Sequence, residues 1–522
     1  MSHAVIWDYE NNIETELPDM PKGVARVYPA SGAVSMLPLT PANNYQQTIL
    51  FCGGSDMPDQ AWGNYSFPFI NTWDYPASRD CQRITPEPSD GSPPVYVQDD
   101  DLLDSRTMGQ FILLPDGKVL IVNGGLNGTA GYASATGETP SYDQMPYGQS
   151  LSAGPVFTPA IYDPNAPAGS RWSDRGLSAS KIPRLYHSSA ILLPDASVLI
   201  AGSNPNVDVN LTTTFPTTYQ AEIFYPPYFS AQNRPVPKGV PSTLSYGGQP
   251  FDIKIPSSSY SGPANDAADK TVVAITRGGF TTHAMNMGQR YMQLKNTYTV
   301  NRDGSITLHV AQPPPNANLF QPGPALLWVV INGIPSNGTM LIVGNGQISN
   351  QPLLPESELP PSVRLDSVSG TGSNNEHNSG GASTTSRTPL IIGGIIGAIV
   401  LIGLAVAGGV WIRKRKAAAA APSTVAGPSY ASGSLARAPK SVYPDVRETR
   451  RSSNASAFVP LGQDQGTTWN SSTARLATQS PYSNTAYVED ADPRPSGTAS
   501  SSRSNLDPYT AAPRSEYGAG RY

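Results

Sequence analysis

The chain has 522 residues, with 34 Lys and Arg against 39 Asp and Glu and a net charge of -5. That balance excludes nucleic acid as a partner, because no basic surface is available to neutralise a row of phosphates. With 48 Gly, 52 Pro and only 14% charged residues, the composition favours short strands joined by many turns over a helical protein.

The opening MSHAVIWDYENN lacks the basic start and apolar run of a signal peptide. Residues 1–233 then carry a repeat. SRTMGQFILLPDGKVLIVNGG (105–125) is echoed by PRLYHSSAILLPDASVLIAGS (183–203), and more loosely by the stretch from ARVYPASGAVSMLPL to QTILFCGG. Each unit reads Arg, a short apolar strand, a turn (Pro-Asp in the two closer copies), a second apolar strand and then small residues. A Pro-Asp-Gly turn between apolar strands predicts a hairpin, and hairpins recurring at this spacing predict propeller blades. Three to four blades can be counted, whereas most propellers close with about six or seven. The expectation is therefore a partial, kelch-like β-propeller whose N-terminal part is missing. The two cysteines, Cys52 and Cys81, would most simply form one disulfide in an oxidising compartment.

Residues 234–346 change pattern. Runs such as FDIKIP, TVVAITRGG, RYMQL, SITLHV and ALLWVVINGIP alternate like five to seven short strands of an immunoglobulin-like sandwich. Residues 347–389 are rich in Ser, Gly and Asn and read as a flexible stalk. Residues 390–412, LIIGGIIGAIVLIGLAVAGGVWI, hold no charge. At about 1.5 Å per residue they can cross a hydrocarbon core of about 30 Å. Arg413-Lys414-Arg415-Lys416 follows, which places the C-terminal side in the cytoplasm. Residues 413–522 lack apolar periodicity and read as a disordered tail. Fold and location are thus expected to be a mainly β ectodomain with one transmembrane helix, held at the plasma membrane in a single pass. Sequons at Asn64, Asn127, Asn210 and Asn337 are candidate glycosylation sites.

Five histidines narrow the chemistry. His3 is terminal, His377 lies in the stalk and His309 reads as structural in a strand. His187, in LYHSSA, and His283, in TTHAMN, each read alone as a hydrogen-bonded buried histidine. Together with Tyr186 they would make an N,N,O set suited to copper, although nothing in their spacing shows that they meet.

FCGGSD, LLPDGKVLIVNG, IPRLYHSSAILLPDASVLIAGSNPN, AEIFYPPYF and TRGGFTTHAMNMGQRYMQL, in this order, resemble the C-terminal part of the glyoxal oxidase and galactose oxidase family of copper-radical oxidases. The resemblance implies one copper, with Tyr186 as axial ligand and catalytic base and His187 and His283 as the imidazole ligands. It implies oxidation of small aldehydes or primary alcohols by O2, with release of hydrogen peroxide. It also implies a radical tyrosine crosslinked to a cysteine, but those two residues belong to the family's N-terminal blades, upstream of every motif matched here. Tyr28 has no spare cysteine beside it. Cys52 and Cys81 instead match a disulfide pair of a later blade. The alternative expectation is a non-catalytic surface protein that binds cell-wall carbohydrate or another partner.

Overall fold

The repeat units fold as three four-stranded antiparallel sheets in a computed structural model that describes residues 3–58, 70–136, 139–365 and 457–461. A hairpin of β1 (Val5–Asp8) and β2 (Ile13–Glu16) precedes them. The first blade holds β3 (Ala33–Met36), β4 (Ile49–Cys52), β5 (Cys81–Ile84) and β6 (Tyr96–Gln98). The second holds β7 (Gln110–Leu113), β8 (Val119–Val122), β11 (Ala160–Tyr162) and β12 (Trp172–Ser173), with β9 (Gly125–Tyr132) and β10 (Ser150–Pro155) forming a separate ribbon between them in sequence. The third holds β13 (Ser188–Leu192), β14 (Val198–Gly202) and β15 (Ala221–Tyr225). Its fourth strand comes from Ala457–Leu461.

Each blade is tied at the same place by the arginine that opens its unit. Arg26 donates to the Gly53 and Asp80 carbonyls and, at 2.6 Å, to the Asp80 carboxylate. Arg184 repeats this with the Gly202 and Gln220 carbonyls and the Glu222 carboxylate at 3.0 Å. Arg106 reaches the Asn123 and Thr158 carbonyls at 2.7 and 3.2 Å and has no bonded carboxylate among these contacts. Its burial lowers its pKa to about 10. The first glycine of FCGG is required by the next blade, since a Cβ on Gly53 would lie 2.2 Å from the Arg106 carbonyl oxygen, and the second by its own unit, since a Cβ on Gly54 would lie 2.1 Å from the Ala25 carbonyl oxygen. Cys52 and Cys81 are paired across β4 and β5 as a disulfide, with Cα atoms 4.2 Å apart.

The sandwich follows. Its larger sheet is built on β16 (Thr243–Leu244), β19 (Thr271–Arg277), β22 (Arg290–Leu294), β25 (Gly323–Ile331), β26 (Ile334–Pro335) and β27 (Thr339–Val343). The smaller sheets pair β17 (Tyr246–Gly248) with β28 (Leu353–Glu356), and β18 (Phe251–Ile255) and β23 (Asn296–Val300) with β24 (Ile306–Val310). Ile253, Ile255, Val273, Ile275, Ile306, Leu308, Leu327 and Val329 fill the space between the sheets, as the period of two requires. Trp328 and Val330, on the opposite face of β25, pack with Ile112, Leu120, Val198 and Phe224 of the second and third blades. The two domains therefore share a core.

Two expectations are corrected. The first part of the stalk, 347–365, is not flexible. β28 pairs in parallel with β17, Val363 bonds Tyr298 and Val300 through the backbone, Arg364 pairs with Asp269, and the Leu365 amide bonds Asn265. Backbone pairing along β17 and at Thr299 of β23 holds this extended segment in spite of its polarity. The tail is also not uniformly unstructured, since Ala457–Leu461 forms β29 on β15. The proposed membrane helix at 390–412 lies outside the described residues. Among those residues no helix is long and apolar enough to cross a membrane.

Of the sequons, Asn337 is exposed in the loop between β26 and β27, and Asn210 is half-buried in a turn. Asn127 lies within β9, and Asn64 falls outside the described residues.

Candidate metal centre

Tyr186 and His187 occupy the turn that leads into β13. The Tyr186 carbonyl accepts from the Asn204 amide at 2.7 Å, the Leu185 amide donates to Ser203 Oγ, and the Arg184 carbonyl accepts from the Gly124 amide. These bonds, with the Arg184–Glu222 pair beneath them, hold the turn from its own blade and from the second blade. His187 has φ 63°, a left-handed backbone that is unfavourable for a residue with a Cβ.

His283 arrives from the sandwich on a hairpin of β20 (Phe280–Thr282) and β21 (Met285–Met287). Thr282 pairs with Met285, so His283 and Ala284 form the two-residue loop, and both have positive φ, 53° and 68°. A loop of this kind is normally built from Asn-Gly. The hairpin is fastened to the propeller at three points. Thr281 Oγ1 lies 2.6 Å from Ser189 Oγ, Asn286 donates to the Phe111 carbonyl, and Gln289 donates to that same carbonyl while accepting from the Leu113 amide.

The three side chains meet. The Tyr186 and His187 rings stack with centroids 3.8 Å apart, and His283 lies 5.7 Å from each. Tyr186 is buried, whereas both imidazoles are exposed on this face, so neither is the buried histidine that each resembles when read alone. Desolvation against Tyr186 and the nearby His283 hold the His187 pKa below its ordinary value, partly opposed by a backbone hydrogen bond at Asn204. A neutral imidazole with a free lone pair is the form that binds metal. Thr282 Oγ1 lies 2.6 Å from His283 Nδ1 and orients that ring. Among the described residues no group of three or more His, Cys, Asp or Glu is gathered to hold a metal. The donor set here is two imidazoles and a phenol.

Residues 1–228 match the family described as glyoxal oxidase N-terminus, and residues 234–343 match the galactose oxidase-like early set domain. The chain belongs to the glyoxal oxidase and galactose oxidase family. Among its relatives are Aldehyde oxidase GLOX1 of Arabidopsis thaliana, 33% identical over 63% of this chain and 49% of the relative, and Aldehyde oxidase GLOX of Vitis pseudoreticulata, 33% identical over 64% and 57%. The chain thus spans about half the length of the curated relatives it matches. A solved structure described as a novel fungal alcohol oxidase of the AA5 family in complex with copper aligns with TM-score 0.44 and 18% identity, over 63% of this chain and 56% of that one.

The early set domain therefore delivers one of the three residues to a site on the glyoxal oxidase domain. Two further tyrosines join them. Tyr28, set aside above for want of a cysteine, lies edge-on to His283 at 5.1 Å and 6.3 Å from Tyr186. Tyr132, at the end of β9, lies 6.3 Å from Tyr186 on its own side. Tyr132 carries no motif in the sequence that would have singled it out. Below them Trp73, Met108, Met145, Leu185 and Phe215 make an apolar floor. His309 keeps the structural role expected of it, between Asp252 at 2.7 Å and Thr299 at 3.0 Å.

Proposed function

We propose that Tyr186, His187 and His283 hold the copper of an oxidase that acts on small aldehydes or primary alcohols with O2 and yields hydrogen peroxide. The observation that carries this reading is strain. Two histidines from different domains both sit in left-handed backbone, and their rings meet over one tyrosine. Non-glycine residues in that conformation cost about 1–3 kcal/mol each and persist where function holds them. An N,N,O donor set also suits copper, so the residues fit the metal.

Copper bound there supplies one-electron redox chemistry at the mouth of the site. The chain's own groups do the rest. Thr282 and Tyr28 fix the plane of His283, and the Asn204 contact fixes His187. Tyr186 Oη takes the proton of the substrate hydroxyl, and the apolar floor around Trp73 and Phe215 excludes water from the carbon that is oxidised. Oxidation of an alcohol or a hydrated aldehyde removes two electrons and two protons, which reduce O2 to hydrogen peroxide. One metal electron does not complete that balance. The second carrier in this family is a tyrosine crosslinked to cysteine, and both cysteines of this chain are tied to one another.

The test is copper titration followed by electron paramagnetic resonance, with peroxide release measured on a small aldehyde. The wild-type protein should show one copper with nitrogen hyperfine coupling that is lost in His187→Ala and His283→Ala. Copper bound equally well by both variants sinks the site. Copper bound as expected, with no peroxide released on small aldehydes or primary alcohols, sinks the oxidase reading and leaves a metal-binding surface.

A further inference from the structure

Between the first two blades and the larger sandwich sheet lies a cleft of about 880 Å³. It shares no lining residue with the metal centre. Its volume falls within the range of about 300–1,000 Å³ typical of ligand sites, and the junction of two domains is where such sites recur. We propose that this cleft binds a neutral oligosaccharide, with Tyr291, Asp116 and Gln293 bonding its hydroxyls and the valines of the β6 edge supporting its ring faces.

The ring of Tyr291 is buried in the core that holds Phe111, Val119 and Trp172, and only 3% of the residue is exposed. Its hydroxyl reaches the cleft beside Gly117 and has no hydrogen-bond partner among the described residues. A largely buried donor without a partner is costly, so the position calls for an acceptor from outside. Asp116 stands close by in the turn between β7 and β8, and its carboxylate accepts one long bond, 3.4 Å from the Lys118 amide. No hydrogen bond joins Asp116 to Tyr291. Burial, with Asp116 nearby, pushes the Tyr291 hydroxyl well up from its ordinary pKa, so it stays a donor. A donor and an acceptor side by side match one alcohol hydroxyl, which accepts from the first and donates to the second. Gln293 is two residues further along β22, on the face that Tyr291 occupies. Its side-chain amide also lines the cleft and bonds nothing else among the described residues.

Another wall is apolar. Val95 and Val97, one just before β6 and one within it, are 60% and 45% exposed, and Pro88 and Pro93 lie with them along the cleft. Sugar rings carry C–H faces that such a wall removes from water. The charges around the cleft cancel, Arg83 and Lys270 against Asp90 and Asp116, and Arg83 is already paired with Asp99. Neither a polyanion nor a polycation meets a complementary field there.

Saturation-transfer NMR and isothermal titration calorimetry on the full-length, metal-free protein test the site. The probes are cellohexaose, laminarihexaose, xylohexaose and mannohexaose, with hexagalacturonate as the charged counterpart, in buffer well above the Asp116 pKa of about 6. At least one neutral chain should bind. Tyr291→Phe, which removes one oxygen and keeps the ring, should weaken that binding at least roughly 10-fold. Val97→Asp, at an exposed position that leaves the fold intact, should weaken it by a similar factor. His187→Ala should leave it unchanged. Failure of every neutral chain to bind, preference for hexagalacturonate, or binding undiminished by either Tyr291→Phe or Val97→Asp overturns the proposal. Loss of binding in His187→Ala would put the sugar at the metal centre and overturn it as well.

Discussion

Replacing His283-Ala284 by Asn-Gly separates the demands of the hairpin from those of the site. Asn-Gly is the favoured pair for a two-residue loop with positive φ at both positions. Relief of the left-handed strain is worth about 1 kcal/mol per residue. Against this stand about 0.5–1 kcal/mol of added chain entropy at glycine and about 0.5–1.5 kcal/mol for the lost Tyr28 contact across 5.1 Å. The sum lies within about 1 kcal/mol of zero. Copper affinity, by contrast, should fall at least roughly 100-fold, since even the groups that merely orient a ligand are worth 10- to 100-fold. Urea denaturation without metal gives the first quantity, and copper titration against a competing chelator gives the second. A loss of more than about 2 kcal/mol in stability with copper affinity intact would show that His283 serves the fold. The strain argument for the metal centre would then fail.

Glu222→Gln leaves the buried Arg184 guanidinium without its carboxylate. Both side chains are almost wholly buried, so breaking the pair should destabilise by about 3–5 kcal/mol. A loss under 1 kcal/mol in urea would show that the carbonyl contacts suffice. Cys52→Ser with Cys81→Ser opens a crosslink across 29 residues and should lower stability by about 2–4 kcal/mol, read as a fall in the denaturation midpoint that reduction of the wild-type protein reproduces. Asp116, in the Pro-Asp-Gly turn beside Tyr291, Lys118 and Asp163, is raised to about 6 by burial. The folded state therefore keeps this proton after the unfolded state has lost it, and stability should fall as pH rises from about 4 to 6. Solvent access limits the effect to on the order of 1–2 kcal/mol, and Asp116→Asn should flatten that slope. An unchanged slope in the variant would place the titration elsewhere.

Local chemistry was legible from the chain alone. The Pro-Asp turns between apolar runs specify hairpins whose register is closed by Leu114 with Lys118 and Leu193 with Ser197. Period-two alternation through FDIKI and ITLHV specifies strands with one buried face. Tyr186 and His187 are neighbours in sequence and so were bound to share a turn. The repeated arginine could be seen, but its role could not, because its carboxylate partners, Asp80 just before β5 and Glu222 within β15, lie beyond the hairpin. Turn chemistry gave no sign of the β20–β21 hairpin, since His-Ala is not a pair that favours positive φ. A sequence read for good turns passes over a turn kept for another reason.

Strands, repeat and family were written in local pattern, because these follow from side-chain period, turn residues and motifs a few residues long. Which groups meet was set by three-dimensional packing, not by local pattern. Packing brought His283 from the sandwich to Tyr186 and His187, set Tyr28 and Tyr132 beside them, laid 347–365 against the sandwich and paired Ala457–Leu461 with β15. Backbone pairing at a sheet edge reads hydrogen-bond geometry rather than side-chain identity, so any short apolar segment is a candidate until packing selects one. Contacts between domains likewise depend on two cores fixing the angle of a hairpin, which no local pattern encodes.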